Sequence, residues 1–490
     1  MRYNKIHFSI LSFFIIAGIL WGQEHPSIHQ QEWEFYQNNP DAVQSIERSF
    51  SQTEKKFNKP TSIPNAVVYG FHPYWMNGAE SKYQFDLLTH LAYFSADVDP
   101  ATGNFSSTHN YSTATVITQA KNAGLKVHLT IVCFTDHAVL FGNQSSVDRL
   151  VNNIIAKVKE RNIDGVNIDF ESMNSSDNAP FKKFILQLGD SLKKHQKELC
   201  VELFAVDWDN TFPSSFFTDV DPVVDQYFVM LYAYFYSKSP TAGPNAPMRN
   251  SAASGYHVLK SIDTYLNRGC PPKKLIAGFP YYGNDWPVVS NARMAATTGT
   301  GSSRFYNVAK NNYLDTMKAE NLFFDATYAT PWYRYHNGTS WRQTWYDDSL
   351  SLAMKYDSVK IRKLSGVGMW ALGYDGSEPE LWNLLRNKFT TPLRVEKENT
   401  LPAQFTLSQN YPNPFNPGTT ITFAVHHAEY VNLTVFNSIG QSVETLFRGV
   451  AESNTPYTLH FDSNNLSSGT YFYLLRSASF HLSRKMVLLK

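Results

Sequence analysis

The stretch DGVNIDFESM, Asp164–Met173, alternates two kinds of side chain: Asn167, Asp169 and Glu171 on one parity, Val166, Ile168 and Phe170 on the other. A strand repeats every two residues, so the two sets face opposite sides. One side is purely apolar and the other polar and acidic. Residues two apart on a strand have Cα atoms roughly 6.6 Å from each other, so two carboxylates there repel, a cost that needs a reason. In a closed barrel the apolar set packs outward on helices and the acidic set faces the axis, with Glu171 at the top. A half-exposed strand with a wet acidic face has the same pattern, so the rest of the chain must decide.

Seven further apolar runs share the character of this one: AVVYGFHPYW, LLTHLAYFSADV, LKVHLTIVCF, LCVELFAVDW, DQYFVMLYAYF, KLIAGFPYYG and LSGVGMWALG. Helix-like pieces such as VDRLVNNIIAKVKERN and APFKKFILQLGDSLKKHQ lie between several of them. Eight β/α units predict an α/β fold of TIM (β/α)8 barrel type, with an open doubly wound sheet as the alternative. Trp75, Glu171, Trp208, Tyr232, Tyr281 and Trp370 fall at the C-terminal ends of the runs, where barrels carry their active sites. The interval from about Asn284 to Leu364 is too long for a plain loop and predicts a small α+β insertion between strands 7 and 8.

The flanks differ in kind. Arg2 and Lys5 precede an apolar run that ends near Leu20, predicting a secretory signal peptide over residues 1–22. Residues 23–63 are polar, with a helix expected over QSIERSFSQTEKKF, and read as a peripheral lead-in to a catalytic barrel at 64–390. A charged linker, 391–402, leads to alternating strands and Gly/Asn/Pro turns, predicting a small all-β sandwich over 403–490.

Composition excludes some partners. With 43 basic against 42 acidic residues, the net charge of +1 gives no electrostatic case for nucleic acid or anionic membranes. No segment after the signal is long and apolar enough to span a membrane. Cys133, Cys200 and Cys270 are too few and too widely spaced for a disulfide scaffold or zinc site; export allows one disulfide, but free buried thiols are expected, and separately no metal or cofactor is expected. The abundant aromatic rings suit the flat faces of sugars and equally suit a core.

In a confined site, a neighbouring carboxylate raises the pKa of one member of the pair. A Glu held protonated near neutral pH is what a general acid needs. DGVNIDFE resembles the D-x-x-D-x-D-x-E signature of family 18 glycoside hydrolases, the chitinase family, with Asp164, Asp169 and Glu171 matching. YGFHPYW, AYF, MLYAYF, AGPNAPM, GFPYYGNDW and GVGMW follow the family's order over roughly residues 64 to 390. The resemblance implies an exported retaining hydrolase of β-linked N-acetylglucosamine-containing glycans: chitin, chitooligosaccharides or peptidoglycan strands. It implies Glu171 as general acid, Asp169 and Tyr232 on the substrate's acetamido group, and Trp370 as the floor beneath the sugar. It also implies a substrate-binding cleft including Asn167, Asp164, Tyr93, Trp75, Trp208, Tyr281 and Trp286.

Two positions depart from the family. Asn167 stands where Asp is usual, and Ala233 stands where Asp or Asn follows the motif tyrosine. Ala233 favours a slow enzyme or a non-catalytic glycan-binding protein displayed at the surface; Glu171 favours the enzyme. His137, at the end of the third run, could reach the cleft or lie in a solvated loop. LSQNYPNPFNPGTTITF, VFNSIGQ, SSGTYFYLL and SRKMVLLK resemble the sorting domain of the type IX secretion system. That resemblance implies secretion machinery as a partner and a secreted or surface-attached protein, reached by way of the periplasm.

Overall fold

The computed structural model describes residues 26–50, 62–207, 209–249, 255–311, 321–392 and 405–490, the last range without 426–427, 438–441, 464–465 and 478–480. The expected signal segment and Trp208 lie outside the described residues.

Eight parallel strands close into a barrel: β1 (Val67–Pro73), β2 (His90–Val98), β3 (Lys126–Cys133), β4 (Gly165–Phe170), β5 (Glu198–Leu203), β6 (Gln226–Met230), β7 (Leu275–Pro280) and β8 (Gly366–Trp370). β1 pairs with both β2 and β8, which closes the ring. Each expected run coincides with one of these strands, β5 alone starting one residue before its run. Their near-continuous burial follows from parallel pairing, with helices outside and packed side chains within. Phe228 fills the axis against Tyr69 and Phe71. Gly278 and Gly368 make room for it, because a Cβ on either would lie 2.2 Å from its ring.

The N-terminal end of the barrel is plugged by charge. Glu198 receives His128 Nε2 at 3.2 Å and His90 Nε2 at 3.4 Å, and it pairs with Lys126. Asp164 also belongs to this end, where its Oδ2 accepts the Val127 amide at 2.9 Å. Antiparallel pairing of Ser62–Pro64 with Thr390–Pro392 clasps the two ends of the barrel sequence together.

Between β7 and β8 a five-stranded antiparallel sheet and the helix Tyr306–Asn311 form the expected insertion. Its own core stacks Trp332 on Trp345 at 4.9 Å and includes Trp286 and Phe235. At the C-terminus, sheets of three and four antiparallel strands enclose a separate core around Phe423, Leu433 and Tyr473. Cys133, Cys200 and Cys270 are free and buried. Among the described residues no helix is long and apolar enough to cross a membrane.

The lead-in is not peripheral. Helix α1 (Ile28–Asn38), capped by Ser27, buries His29 and Glu32 at the C-terminal mouth of the barrel. Helix α2 (Pro40–Phe50) follows, with Val43, Ile46 and Phe50 half-buried against the barrel and no residue fully buried.

Candidate active site

Strand alternation aims Asp169 and Glu171 from β4 toward the mouth, and both are buried there. Tyr232 arrives just beyond β6, and Trp370 ends β8. These four side chains converge on a volume the size of one ring. In this structure the ring is the imidazole of His29, tilted over Trp370 with centroids 3.7 Å apart. Its Nδ1 lies 2.8 Å from Asp169 Oδ2 and 3.1 Å from Glu171 Oε1. Its Nε2 lies 2.9 Å from the Tyr232 hydroxyl.

Burial alone would lower the pKa of His29. The charges of Asp169 and Glu171 outweigh it and hold the imidazole well above its ordinary 6.5. An imidazolium donates from both nitrogens, which suits two acceptors. Burial and then the Glu171 charge push Asp169 up to about 7. A third carboxyl, Glu202 on β5, is driven well above the usual range by burial and by Asp169. The register explains its position. Asn167 pairs with Cys200 and Ile168 with Val201, so Glu202 comes alongside Asp169.

Among the described residues, two groups of potential ligands have atoms close enough to share a metal ion: His90, His128 and Glu198 at the barrel's floor, and His29, Asp169 and Glu171 at its mouth. In the first, Lys126 already neutralises the carboxylate. In the second, both imidazole nitrogens are engaged by protein groups. Neither donor set has the free, electron-rich face that a cation needs.

A family model described as glycosyl hydrolases family 18 matches residues 67–375, the whole barrel with its insertion. The chain belongs to glycosyl hydrolase family 18. A second model, a secretion system C-terminal sorting domain, matches residues 409–489 and marks the protein for secretion or attachment at the cell surface. The Bacillus subtilis protein YdhD is 30% identical over 258 residues, 52% of this chain and 57% of its own length. The cortical fragment-lytic enzyme of B. subtilis is 22% identical over 283 residues, 56% of this chain and 62% of that enzyme. The chain thus spans about three fifths of the length of these two curated relatives. In fold it is similar to a family 18 chitinase from Cycas revoluta crystallised with (GlcNAc)4. The TM-score is 0.59 and the identity 21%, covering 66% of this chain and 99% of that one.

Against the family 18 signature, the structure gathers Asp169, Glu171, Tyr232 and Trp370, with Asn167 buried beneath Asp169. Trp75 is close by, 6.2 Å from Trp370 between centroids. Four expected cleft residues lie elsewhere. Asp164 is at the opposite end of the barrel. Tyr93 has outward parity and packs on His72 and Tyr111. Tyr281 points outward to Tyr356, their hydroxyls 3.4 Å apart. Trp286 is in the insertion's core and donates to the Tyr236 carbonyl at 3.2 Å. His137 is neither in the cleft nor solvated. It is buried on the outer face against Phe141 and Phe170.

Sequence reasoning missed several residues of this family 18 site. Tyr282, one position from the expected Tyr281, faces Tyr232 at 6.3 Å. Asn245 reaches the Ala233 amide with Oδ1 at 2.7 Å. Tyr374 and Trp370 donate to Glu32 Oε2 at 2.6 and 2.9 Å. Glu202 was legible as a lone acid inside an apolar run, LCVELF, on the inward parity of β5. His29 left no such signal.

Proposed function

We propose that the protein is an exported retaining glycosidase acting on β-linked N-acetylglucosamine-containing glycans through the substrate's own acetamido group. One observation carries this reading: Asp169, Glu171 and Tyr232 converge on a ring-sized volume floored by Trp370. A pyranose fits against an indole face by its axial C–H groups. Glu171, at the rim, gives its proton to the glycosidic oxygen as the bond to the anomeric carbon breaks. The acetamido oxygen attacks that carbon from the opposite face, forming an oxazolinium intermediate. Water, deprotonated by Glu171, then opens the ring with net retention. Asp169 accepts the acetamide N–H, and the Tyr232 hydroxyl donates to its oxygen.

Glu202 supplies the carboxyl that Asn167 does not. Buried and neutral beside Asp169, it offers a proton that steadies the ionised Asp169 when positive charge develops on the acetamide. A second reading, glycan binding without turnover, is favoured by Ala233, which places no side-chain hydrogen bond on the acetamide.

Two relatives, a cortical fragment-lytic enzyme from B. subtilis and a class V chitinase from Arabidopsis thaliana, support glycans of this class. The sorting tail supports an extracellular polymer reached after periplasmic passage. The test is incubation with N-acetylated chitooligosaccharides, peptidoglycan and fully deacetylated chitosan, with products read by mass spectrometry after proteolytic removal of α1. Cleavage of acetylated glycans only, with inhibition by a thiazoline mimic of the intermediate, is expected. Efficient cleavage of chitosan would rule out the acetamide as nucleophile.

A further inference from the structure

Helix α1 has the wrong surface for an ordinary packing helix. Its buried positions include His29 and Glu32, and burying such groups against an apolar core is expensive. Here every polar group meets a polar group of the cleft. His29 takes Asp169, Glu171 and Tyr232. Glu32 Oε2 accepts from the Trp370 indole and the Tyr374 hydroxyl. One turn on, Trp33 Nε1 donates to Asp97 Oδ2 at 2.8 Å, and Tyr36 stacks on Trp75 at 4.9 Å with planes 17° apart. Gln31 Oε1 accepts from Ser237 at 3.0 Å. The helix thus spans the cleft from the carboxylates to the aromatic rim. It combines flat rings with hydrogen-bonding edges, the same combination a glycan offers.

We propose that α1 is a built-in competitive inhibitor, occupying the sugar site of the intact chain, and that the enzyme is latent until this segment is withdrawn or cut away. The inference rests on the glycosidase reading above. Withdrawal leaves the barrel whole. The strand Ser62–Pro64 is anchored on Thr390–Pro392 independently of α1, and α2, between them, buries no residue fully: it rests Val43, Ile46 and Phe50 half-buried on the barrel and accepts a hydrogen bond, from Asn77 to Glu47. The fully buried part of the attachment, Ile28, His29 and Glu32, belongs to α1 and not to α2. A bound glycan must displace it, so apparent affinity falls by the fraction of chains in which the cleft is open.

The experiment uses the full chain carrying a site-specific protease sequence between α2 and Ser62. N-acetylchitotetraose binding is measured by calorimetry, and hydrolysis by product analysis, before and after the cut and removal of the N-terminal fragment. Cutting is expected to raise kcat/KM by about 100-fold, corresponding to an open fraction of about 1% in the intact chain. A synthetic peptide of residues 23–50 is expected to restore inhibition competitively. The same peptide with His29→Ala is expected to inhibit at least about tenfold less tightly. The uncut double variant His29→Ala/Glu32→Ala is expected to be active without cutting. If intact and cut chains bind and cleave equally, the inhibitor is overturned and the glycosidase reading stands. If cutting or the double variant lowers activity, α1 is part of the working site and the proposal also fails. If the cut chain neither binds nor cleaves the tetramer or peptidoglycan, the glycosidase reading itself fails, and the inhibitor with it.

Discussion

Ala233 adopts a left-handed backbone conformation, φ 59°, directly after the site tyrosine. An L-residue with a plain Cβ loses about 1 kcal/mol there, whereas Asn and Asp visit the region with less strain. Ala233→Asn is therefore expected to raise the melting temperature by about 2 °C. Ala233→Asp is expected to raise turnover on N-acetylated glycans by bringing a second hydrogen-bonding group to the acetamide. Melting curves and steady-state kinetics of the α1-released forms check both. If both substitutions lower activity, Asn245 already completes the site through the Ala233 amide. Glu171→Gln is expected to cut turnover by about two to four decades while glycan binding survives. Equal activity in the mutant would remove Glu171 from the mechanism. For Glu202, the isosteric Gln keeps a neutral donor beside Asp169 and is expected to be mild. Glu202→Ala is expected to cost about 100-fold through loss of positioning, with partial recovery in Glu202→Ala/Asn167→Asp and a shift in the acid limb of the pH profile. A fully active Ala variant would make Glu202 a bystander. The signature residues were legible because chemistry fixed both their type and their spacing. Tyr281 and Trp286 were misplaced because a one-residue change of parity past the end of β7 decides which ring looks inward, and composition carries no parity.

The barrel strands were readable from their apolar runs, since burial on both faces leaves little else in them. Helix α1 was not, because IHQQEWEFYQN presents polar residues toward its binding surface, and hydrophobic periodicity finds only apolar stripes. Its docking should be proton-linked. Glu32 is pushed by burial to about 7 from an ordinary 4.5, so docking takes up a proton there; this stabilisation is full below about pH 4.5 and is lost as pH rises through 7. Raised above 6.5, His29 adds uptake of the same sign, lost at higher pH. Asp169 opposes in part, because the nearby imidazolium lowers its pKa and docking releases a proton from it. Glu171, Glu202 and Tyr232 also face His29, and Tyr374 faces Glu32. The net is uptake, carried by Glu32. The ratio of intact to cut activity, which cancels the barrel's own pH profile, is expected to climb between about pH 5 and pH 8. A flat or falling ratio would show that Glu32 does not titrate with docking.

At the scale of the whole molecule, delivery and chemistry occupy separate cores. The tail's buried residues, from Leu407 to Leu488, form a cluster of their own, and the barrel's cluster ends at Phe389. Small β-sandwiches of this kind are legible from turn residues and alternation, and the run Asn413, Pro414, Phe415 and Pro417 marks the entry. A domain with its own core can be removed without opening its neighbour's. The two parts do touch, since Arg476 pairs with Asp348 at 2.9 Å. That bridge is partly exposed on the arginine side and contributes on the order of 1 kcal/mol or less. Deleting residues 403–490 is therefore expected to leave the barrel's melting temperature within about 3 °C of the full chain's and its kcat/KM, measured after release of α1, within about twofold. In the native host the shortened protein is expected to accumulate in the periplasm, followed by fractionation and immunoblotting. Normal surface delivery of the truncated form would sink the sorting role. Loss of activity in the purified form would show that the sandwich supports the barrel.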